Sequence, residues 1–335
     1  MAEQQKKPKV GIVGSGSWAT ALSKILLNNV DSINWWVREE DVAQNLHIYG
    51  RNPLYLSSVG FNRESLNIYT DISKLIAESD HIIFVIPAAF MKKQLSGIAP
   101  NAFKGKKVHS AIKGIIPETN QIIAEFFISK YGMSSQDISV ISGPSHAEEI
   151  ALEKLTYLTV SSMNPLLSEE VAALLGCKFV KTTTSDDIYG TEYASVLKNI
   201  YAIAVGITKG LGYGDNFISV LVANALQEME RFIAAVHPID RNLSGSVYLG
   251  DLIVTAYSQF SRNRTFGNMI GAGYSVKSAQ LEMKMIAEGY YATRCIHEIN
   301  KKYNVEMPIA SAVYNILYES ISPYIEIKIM EDRIR

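Results

Sequence analysis

The run VGIVGSGSWATALSKIL, which begins at Val10, constrains the fold more than any other segment. Four apolar residues, Val10–Val13, read as a strand, and Trp18–Leu27 reads as a helix with Trp18, Ala21, Leu22, Ile25 and Leu26 on one face. Between them Gly14, Gly16 and Ala19 stand in G-x-G-x-x-A spacing. Gly14 permits a tight turn, and Gly16 lets a phosphate approach the backbone. Ala19 keeps the helix close to the strand, and the unpaired N–H groups at the helix start face an anion. A strand that feeds a helix through such a loop commits the first part of the chain to a βαβ arrangement with a dinucleotide site. A tight β–α turn without a ligand is the plain alternative.

The segments that follow keep this rhythm. Ile33–Val37, Ile82–Ile86, Val108–Ile112 and Ile138–Ser142 read as buried strands, with Leu158–Ser161 and Lys178–Lys181 as edge strands. After about Asp187 the strands stop. Helical patterns cover Glu192–Lys209, Phe217–Val236, Leu249–Phe260, Ser278–Asn300 and Pro308–Ser320. The expected fold class is α/β, an N-terminal Rossmann-like doubly wound sheet with an all-helical C-terminal domain. The expected domains are residues 1–187 and 188–335, with Thr182–Asp186 as the hinge. A length of 335 residues accords with two cores.

Composition excludes several function classes. A formal net charge of -1 recruits neither nucleic acid nor an anionic membrane, so an anionic substrate needs a local basic cluster. The two cysteines, Cys177 and Cys295, lie far apart and build neither a disulfide scaffold nor a cysteine zinc site. No segment reaches the roughly 20 apolar residues of a membrane span, and the start lacks a signal-peptide core, so a cytoplasmic location is expected.

Lys198 is the notable charge of the helical half. It lies in YASVLKNIYAIAVGIT, where its neighbours three and four residues away are Ala194, Ser195, Tyr201 and Ala202, none an acid. Either the side chain snorkels to solvent, or this face lines a cleft where the ammonium meets a substrate. Lys113 follows a strand in AIKGI, at the edge of a doubly wound sheet where ligands gather. SGPSHAEE ends another strand; its His146 reads as a structural junction residue or a proton carrier. Asp251 precedes an apolar helix and is either a helix cap or a partner for a lysine. SRNR, Ser261–Arg264, offers planar guanidinium donors suited to phosphate. Arg38 ends INWWVR, about where a dinucleotide site reads the adenosine ribose, and an Arg there suits the 2′-phosphate of NADP. Glu39 and Glu40 follow it directly.

Taken together, GSGSWATALS, AIKGI, SGPSHAEE, EYASVLKNIYAIAVGITKGLGYGDN, GDLIVT, SRNRTFG and AEG resemble the bacterial type of NAD(P)-dependent glycerol-3-phosphate dehydrogenase, in order and over nearly the whole chain. The resemblance implies reduction of dihydroxyacetone phosphate to sn-glycerol 3-phosphate, a glycerophospholipid precursor, with NAD(P)H; Arg38 leans the reading to NADP. It implies Lys198, Lys113 and Asp251 as catalytic residues, with substrate contacts from these and from Gly143, Ser145, Ser261, Arg262 and Asn263. It assigns cofactor contacts to Gly14, Gly16, Ser17, Trp18, Arg38, Lys113, Ala147, Arg262, Ile286 and Glu288. A homodimer is implied, and no metal is required. Departures are Ala19 for the third glycine, Leu54–Leu66 without Tyr-Leu-Pro-Gly, and SGSVYLGDL before Asp251. Two other readings remain: a hydroxyacid or 6-phosphogluconate-type dehydrogenase of similar architecture, and a non-catalytic NADP(H)-binding redox sensor.

Overall fold

A computed structural model of the chain describes residues 8–283 and 287–335. It divides into two compact units. The first takes in the chain through Ile86 together with Phe90–Ile112 and Ala124–Ile188. The second comprises Pro87–Ala89, Lys113–Ile123 and Tyr189–Arg335.

In the first unit the strands are β1 (Val10–Val13), β2 (Ile33–Trp36), β3 (Leu66–Tyr69), β4 (His81–Phe84), β5 (Lys107–Ser110), β6 (Ile138–Ser142), β7 (Thr156–Ser161) and β8 (Val180–Ser185). They form one sheet in the order β3-β2-β1-β4-β5-β6-β7-β8. The first six run parallel; β7 is antiparallel to β6, and β8 parallel to β7. The chain therefore winds outward in both directions from β1 and β4, which places the carboxyl end of β1 at a topological switch point. Strands β1, β2 and β4 are buried along their whole length, as a sheet covered on both faces requires. The core joins the Ser17–Leu26 helix, through Ala21, Leu22 and Ile25, to Ile12, Trp35 and Leu158.

Three expectations need correction here. β7 is not an edge strand, because it is paired on both sides. The expected hinge Thr182–Asp186 lies mostly within β8, where the β-branched Thr182, Thr183 and Thr184 lie in a ladder that pairs with β7 through Ser185. β3 has no counterpart among the expected strands; as an edge strand it buries fully only Leu66, so it lacks a clear apolar signature.

In the second unit the helices Ile188–Gly210 and Asp215–Val236 pack with Asp251–Tyr257, Arg262–Gly271, Glu288–Tyr303 and Pro308–Tyr318 around a core containing Leu197, Ile200, Phe232, Phe266 and Ile296. The single pattern expected over Ser278–Asn300 is two helices, Val276–Glu282 and Glu288–Tyr303. Gly206 and Gly210 on the first long helix meet Gly267 and Gly271 on the Arg262–Gly271 helix. An added Cβ would lie 2.1 Å from Arg264 O at Gly206, 2.4 Å from Asn268 O at Gly210, 2.1 Å from Ile203 O at Gly267 and 2.2 Å from Ile207 O at Gly271. Four glycines, two per helix at a four-residue spacing, let the backbones touch where any side chain would hold them apart. The buried carboxylate of Glu228 accepts the Ile309 and Ala310 N–H groups at 2.8 and 2.9 Å, closing the start of the Pro308–Tyr318 helix. No helix among the described residues is long and apolar enough to cross a membrane.

Candidate active site

Lys198 does not snorkel. It lies in the interior of the Ile188–Gly210 helix and is only 3% exposed. Its Nζ lies 2.5 Å from Asp251 Oδ1. Lys113 Nζ approaches the other oxygen, Oδ2, at 3.3 Å. One buried carboxylate thus serves two lysine side chains. Of the two readings of Asp251, the lysine partner describes its carboxylate. The residue stands in the first turn of the Asp251–Tyr257 helix, where Thr255 Oγ1 donates to its backbone oxygen at 2.6 Å.

The electrostatics follow from burial. Desolvation disfavours the Lys198 ammonium and outweighs the pull of Asp251, and the neighbouring Lys113 adds to the effect; the group is lowered to about 7. Burial works to raise the Asp251 carboxyl, but the two ammonium groups outweigh it and hold it below the usual carboxylate range. A lysine poised near neutrality beside a fixed anion suits proton exchange with a substrate oxygen.

An amide ladder orients this site. Asn199 Nδ2 donates to Lys113 O at 2.8 Å, while Asn199 Oδ1 accepts from Asn263 Nδ2 at 2.9 Å. Asn263 Oδ1 in turn accepts the Gly289 N–H at 2.9 Å. The ladder brings Lys113, the Lys198 helix, the SRNR turn and the AEG turn together in the second unit. Asn199 was absent from the expected site residues, although a carboxamide beside the lysine in an apolar helix was a signal available in the sequence. The ladder thus uses both ends of the Asn263 carboxamide, which is buried.

Ser261 is the N-cap of the Arg262–Gly271 helix; its side chain accepts the Arg264 N–H at 3.3 Å. Arg262 follows at the first helical position and is exposed. A helix N-terminus with a guanidinium beside it attracts an oxyanion such as phosphate. Glu288 is buried; its Oε1 accepts the Ala88 N–H at 3.1 Å. Desolvation raises Glu288 to about 7 against the opposing influence of the Ala88 N–H and Arg262. Ile286 lies outside the described residues.

The first unit carries the glycine loop. Gly14 has φ +145°, and a Cβ there would lie 2.8 Å from Val85 O, so this position admits only glycine. A Cβ at Gly16 would meet nothing within 4 Å. Gly16 caps the Ser17–Leu26 helix without a side chain, so a pyrophosphate can approach the positive helix end. These residues fit a dinucleotide. The Trp18 indole donates to Ala111 O at 3.1 Å, which pins the first helical turn. Arg38 pairs with Glu39. Ser145 Oγ donates to Gly143 O at 2.9 Å, and His146 is the N-cap of the short Ala147–Ala151 helix, its carbonyl accepting the Glu149 and Ile150 N–H groups.

Comparison with known proteins agrees with this layout. The family model described as NAD-dependent glycerol-3-phosphate dehydrogenase N-terminus matches residues 9–168, and the C-terminus model matches residues 187–328. A Bacillus subtilis (strain 168) protein named glycerol-3-phosphate dehydrogenase [NAD(P)+] is 36% identical over 311 residues, which is 92% of this chain and 90% of that protein. The crystal structure of glycerol-3-phosphate dehydrogenase from Coxiella burnetii superposes with a TM-score of 0.89 at 30% identity, covering 96% of this chain and 98% of that one. D-mandelate dehydrogenase shares the fold alone, with a TM-score of 0.60 at 17% identity over 93% of this chain and 98% of that one. A nucleotide loop on a doubly wound sheet, a buried lysine–aspartate–lysine cluster in a helical unit and these matches lead to one conclusion: the chain belongs to the NAD-dependent glycerol-3-phosphate dehydrogenase family.

Proposed function

We propose that this chain is an NAD(P)-dependent oxidoreductase that interconverts dihydroxyacetone phosphate and sn-glycerol 3-phosphate. The observation that carries the reading is the buried Lys198–Asp251–Lys113 cluster, at 2.5 and 3.3 Å. A bound nicotinamide supplies or accepts the hydride. As the ketone carbon is reduced, negative charge grows on its oxygen. The Lys198 ammonium answers that charge more strongly in the transition state than in the ground state, and then donates its proton. In the reverse direction neutral Lys198 takes the proton of the C2 hydroxyl. Asp251 holds both lysines, and Lys113 reinforces the positive field at the substrate oxygen. The substrate phosphate is met by the Arg262 guanidinium and the N-terminus of its helix. Gly143 and Ser145 contribute further substrate contacts and Ala147 a cofactor contact, as do Ser17, Trp18 and Glu288 for the cofactor.

The reading includes a homodimer in the cytoplasm that feeds a glycerophospholipid precursor; light scattering on the purified chain checks the dimer. A steady-state assay tests the activity: oxidation of NADH and of NADPH with dihydroxyacetone phosphate, set against 3-hydroxyacid substrates. Preferential turnover of the triose phosphate is expected. Faster turnover of a hydroxyacid, or dinucleotide binding without turnover, overturns the reading.

A further inference from the structure

Glu39 occupies a position that the catalytic scheme leaves unused. It follows β2 and begins the Glu40–Tyr49 helix as its N-cap, with its carbonyl accepting the Ala43 N–H at 3.0 Å, so its backbone is fixed. Its Oε2 accepts from Ser15 Oγ at 2.5 Å, and Ser15 lies between Gly14 and Gly16. The carboxylate is therefore held against the glycine loop, at the end of the strand beside which a dinucleotide lays its adenosine ribose. Arg38 donates from Nε to the other oxygen, Oε1, at 3.0 Å. The arginine side chain is 56% exposed and that of Glu39 only 24%, so the acid is the inner member of the pair.

Charge points the same way. Glu40 and Asp41 follow in the first turn, which sets three carboxylates against the one guanidinium of Arg38. Burial works to raise the Glu39 carboxyl, but the Ser15 hydroxyl and Arg38 outweigh it and hold it lowered. An ionised carboxylate accepts hydrogen bonds from a vicinal diol and repels a phosphate dianion.

We propose that Glu39 is the specificity-determining residue for the cofactor: it accepts the 2′- and 3′-hydroxyls of the adenosine ribose of NAD(H) and excludes the 2′-phosphate of NADP(H). Arg38 is then neutralised by Glu39 rather than free to read that phosphate. The inference rests on the dehydrogenase reading above and narrows its cofactor.

Direct binding tests it without turnover. The dissociation constants of NADH and NADPH are measured by cofactor fluorescence, and those of 5′-AMP and adenosine 2′,5′-bisphosphate by calorimetry. The unmodified protein binds NADH at least about tenfold more tightly than NADPH, a difference of about 1.4 kcal/mol, and prefers AMP to the bisphosphate. In Glu39→Gln the NADH advantage shrinks to within about threefold, chiefly through tighter NADPH binding, as expected once the carboxylate repulsion is gone. Equal or tighter NADPH binding by the unmodified protein overturns the inference, as does an unchanged ratio in Glu39→Gln. So does an Arg38→Ala variant that loses NADPH selectively. The AMP pair needs no variant and decides the matter if Glu39→Gln fails to fold. Binding of neither dinucleotide overturns this inference and the dehydrogenase reading together, whereas a preference for NADPH overturns this inference alone.

Discussion

The Lys198 ammonium and the Asp251 carboxylate form a buried ion pair at 2.5 Å, with side chains 4% and 1% exposed. Removing one partner of such a pair leaves an uncompensated charge out of reach of water, at a typical stability loss of about 3–5 kcal/mol. Lys113 complicates this arithmetic, because Asp251 also answers its ammonium at 3.3 Å. Asp251→Asn therefore leaves two cations facing each other, and Lys198 is driven further below its present position near 7. Urea unfolding should show the stability loss. The rate of ketone reduction at neutral pH should fall as well, with its pH dependence displaced toward acid. An unshifted profile contradicts the pairing role.

In the proposed mechanism Lys198→Ala removes the group that answers the oxyanion. Loss of one such donor typically lowers kcat by about 10²–10³-fold. The glycine loop belongs to the first unit, so the dissociation constant for the reduced dinucleotide should stay within about twofold, a change near 0.4 kcal/mol. Near-normal turnover in this variant counts against the assignment.

The proposed proton transfer predicts a pH dependence of opposite sign in the two directions. Burial lowers Lys198 to about 7, so reduction, which needs the ammonium, is fastest below that value and declines above it. Oxidation needs the neutral amine and rises through the same region. Initial rates from pH 6 to 9 in both directions, with saturating substrates, check this. Parallel profiles contradict the proton-transfer role of Lys198.

Asn199 orients groups without a charge of its own. Asn199→Asp keeps an acceptor for Asn263 Nδ2 but loses the donor to Lys113 O, while Asn199→Ala loses both bonds. Each unsatisfied buried polar group costs about 1–3 kcal/mol, so the alanine variant should lose stability to urea by at least that much. The aspartate variant keeps the bond to Asn263 and loses only the one to Lys113 O, so its kcat should drop while dinucleotide binding persists. Unchanged kcat in both variants shows that the ladder is only structural.

The glycine crossing predicts a steric cost. Gly267→Ala places a Cβ 2.1 Å from Ile203 O, a backbone atom that cannot swing away. Overpacking of this kind typically costs about 1–3 kcal/mol, and the shift also moves Asn263, one turn earlier on the same helix, away from Asn199. Gly97→Ala is the control, since nothing lies within 4 Å of a Cβ there. Equal midpoints in urea for the two variants contradict the close crossing.

Much of the fold was legible because its signals are local. The β1 boundaries, the glycine turn and the helix that follows depend on apolar periodicity and turn chemistry within a few residues. Ile138–Ser142 coincides with β6 for the same reason. Where pairing partners decide, local pattern falls short. The partially exposed β3 carries too little apolar signal, and the threonine run of β8 resembles a polar connector until β7 pairs with it. The break between Val276–Glu282 and Glu288–Tyr303 is likewise not marked by periodicity.

The site divides in the same way. The sequence by itself determined that a dinucleotide loop opens the chain, that a helical half follows, and that one lysine stands on an apolar helix without a local counter-ion. Only the tertiary structure decided what surrounds that lysine. It brought Asp251 and Lys113 to Lys198, joined Asn199 to Asn263, buried the Asn263 carboxamide and set Glu39 rather than Arg38 against the glycine loop. The physical reason is that apolar burial imprints a period on neighbouring residues. A buried charge requires only that some partner arrive, from anywhere in the chain, to offset its desolvation.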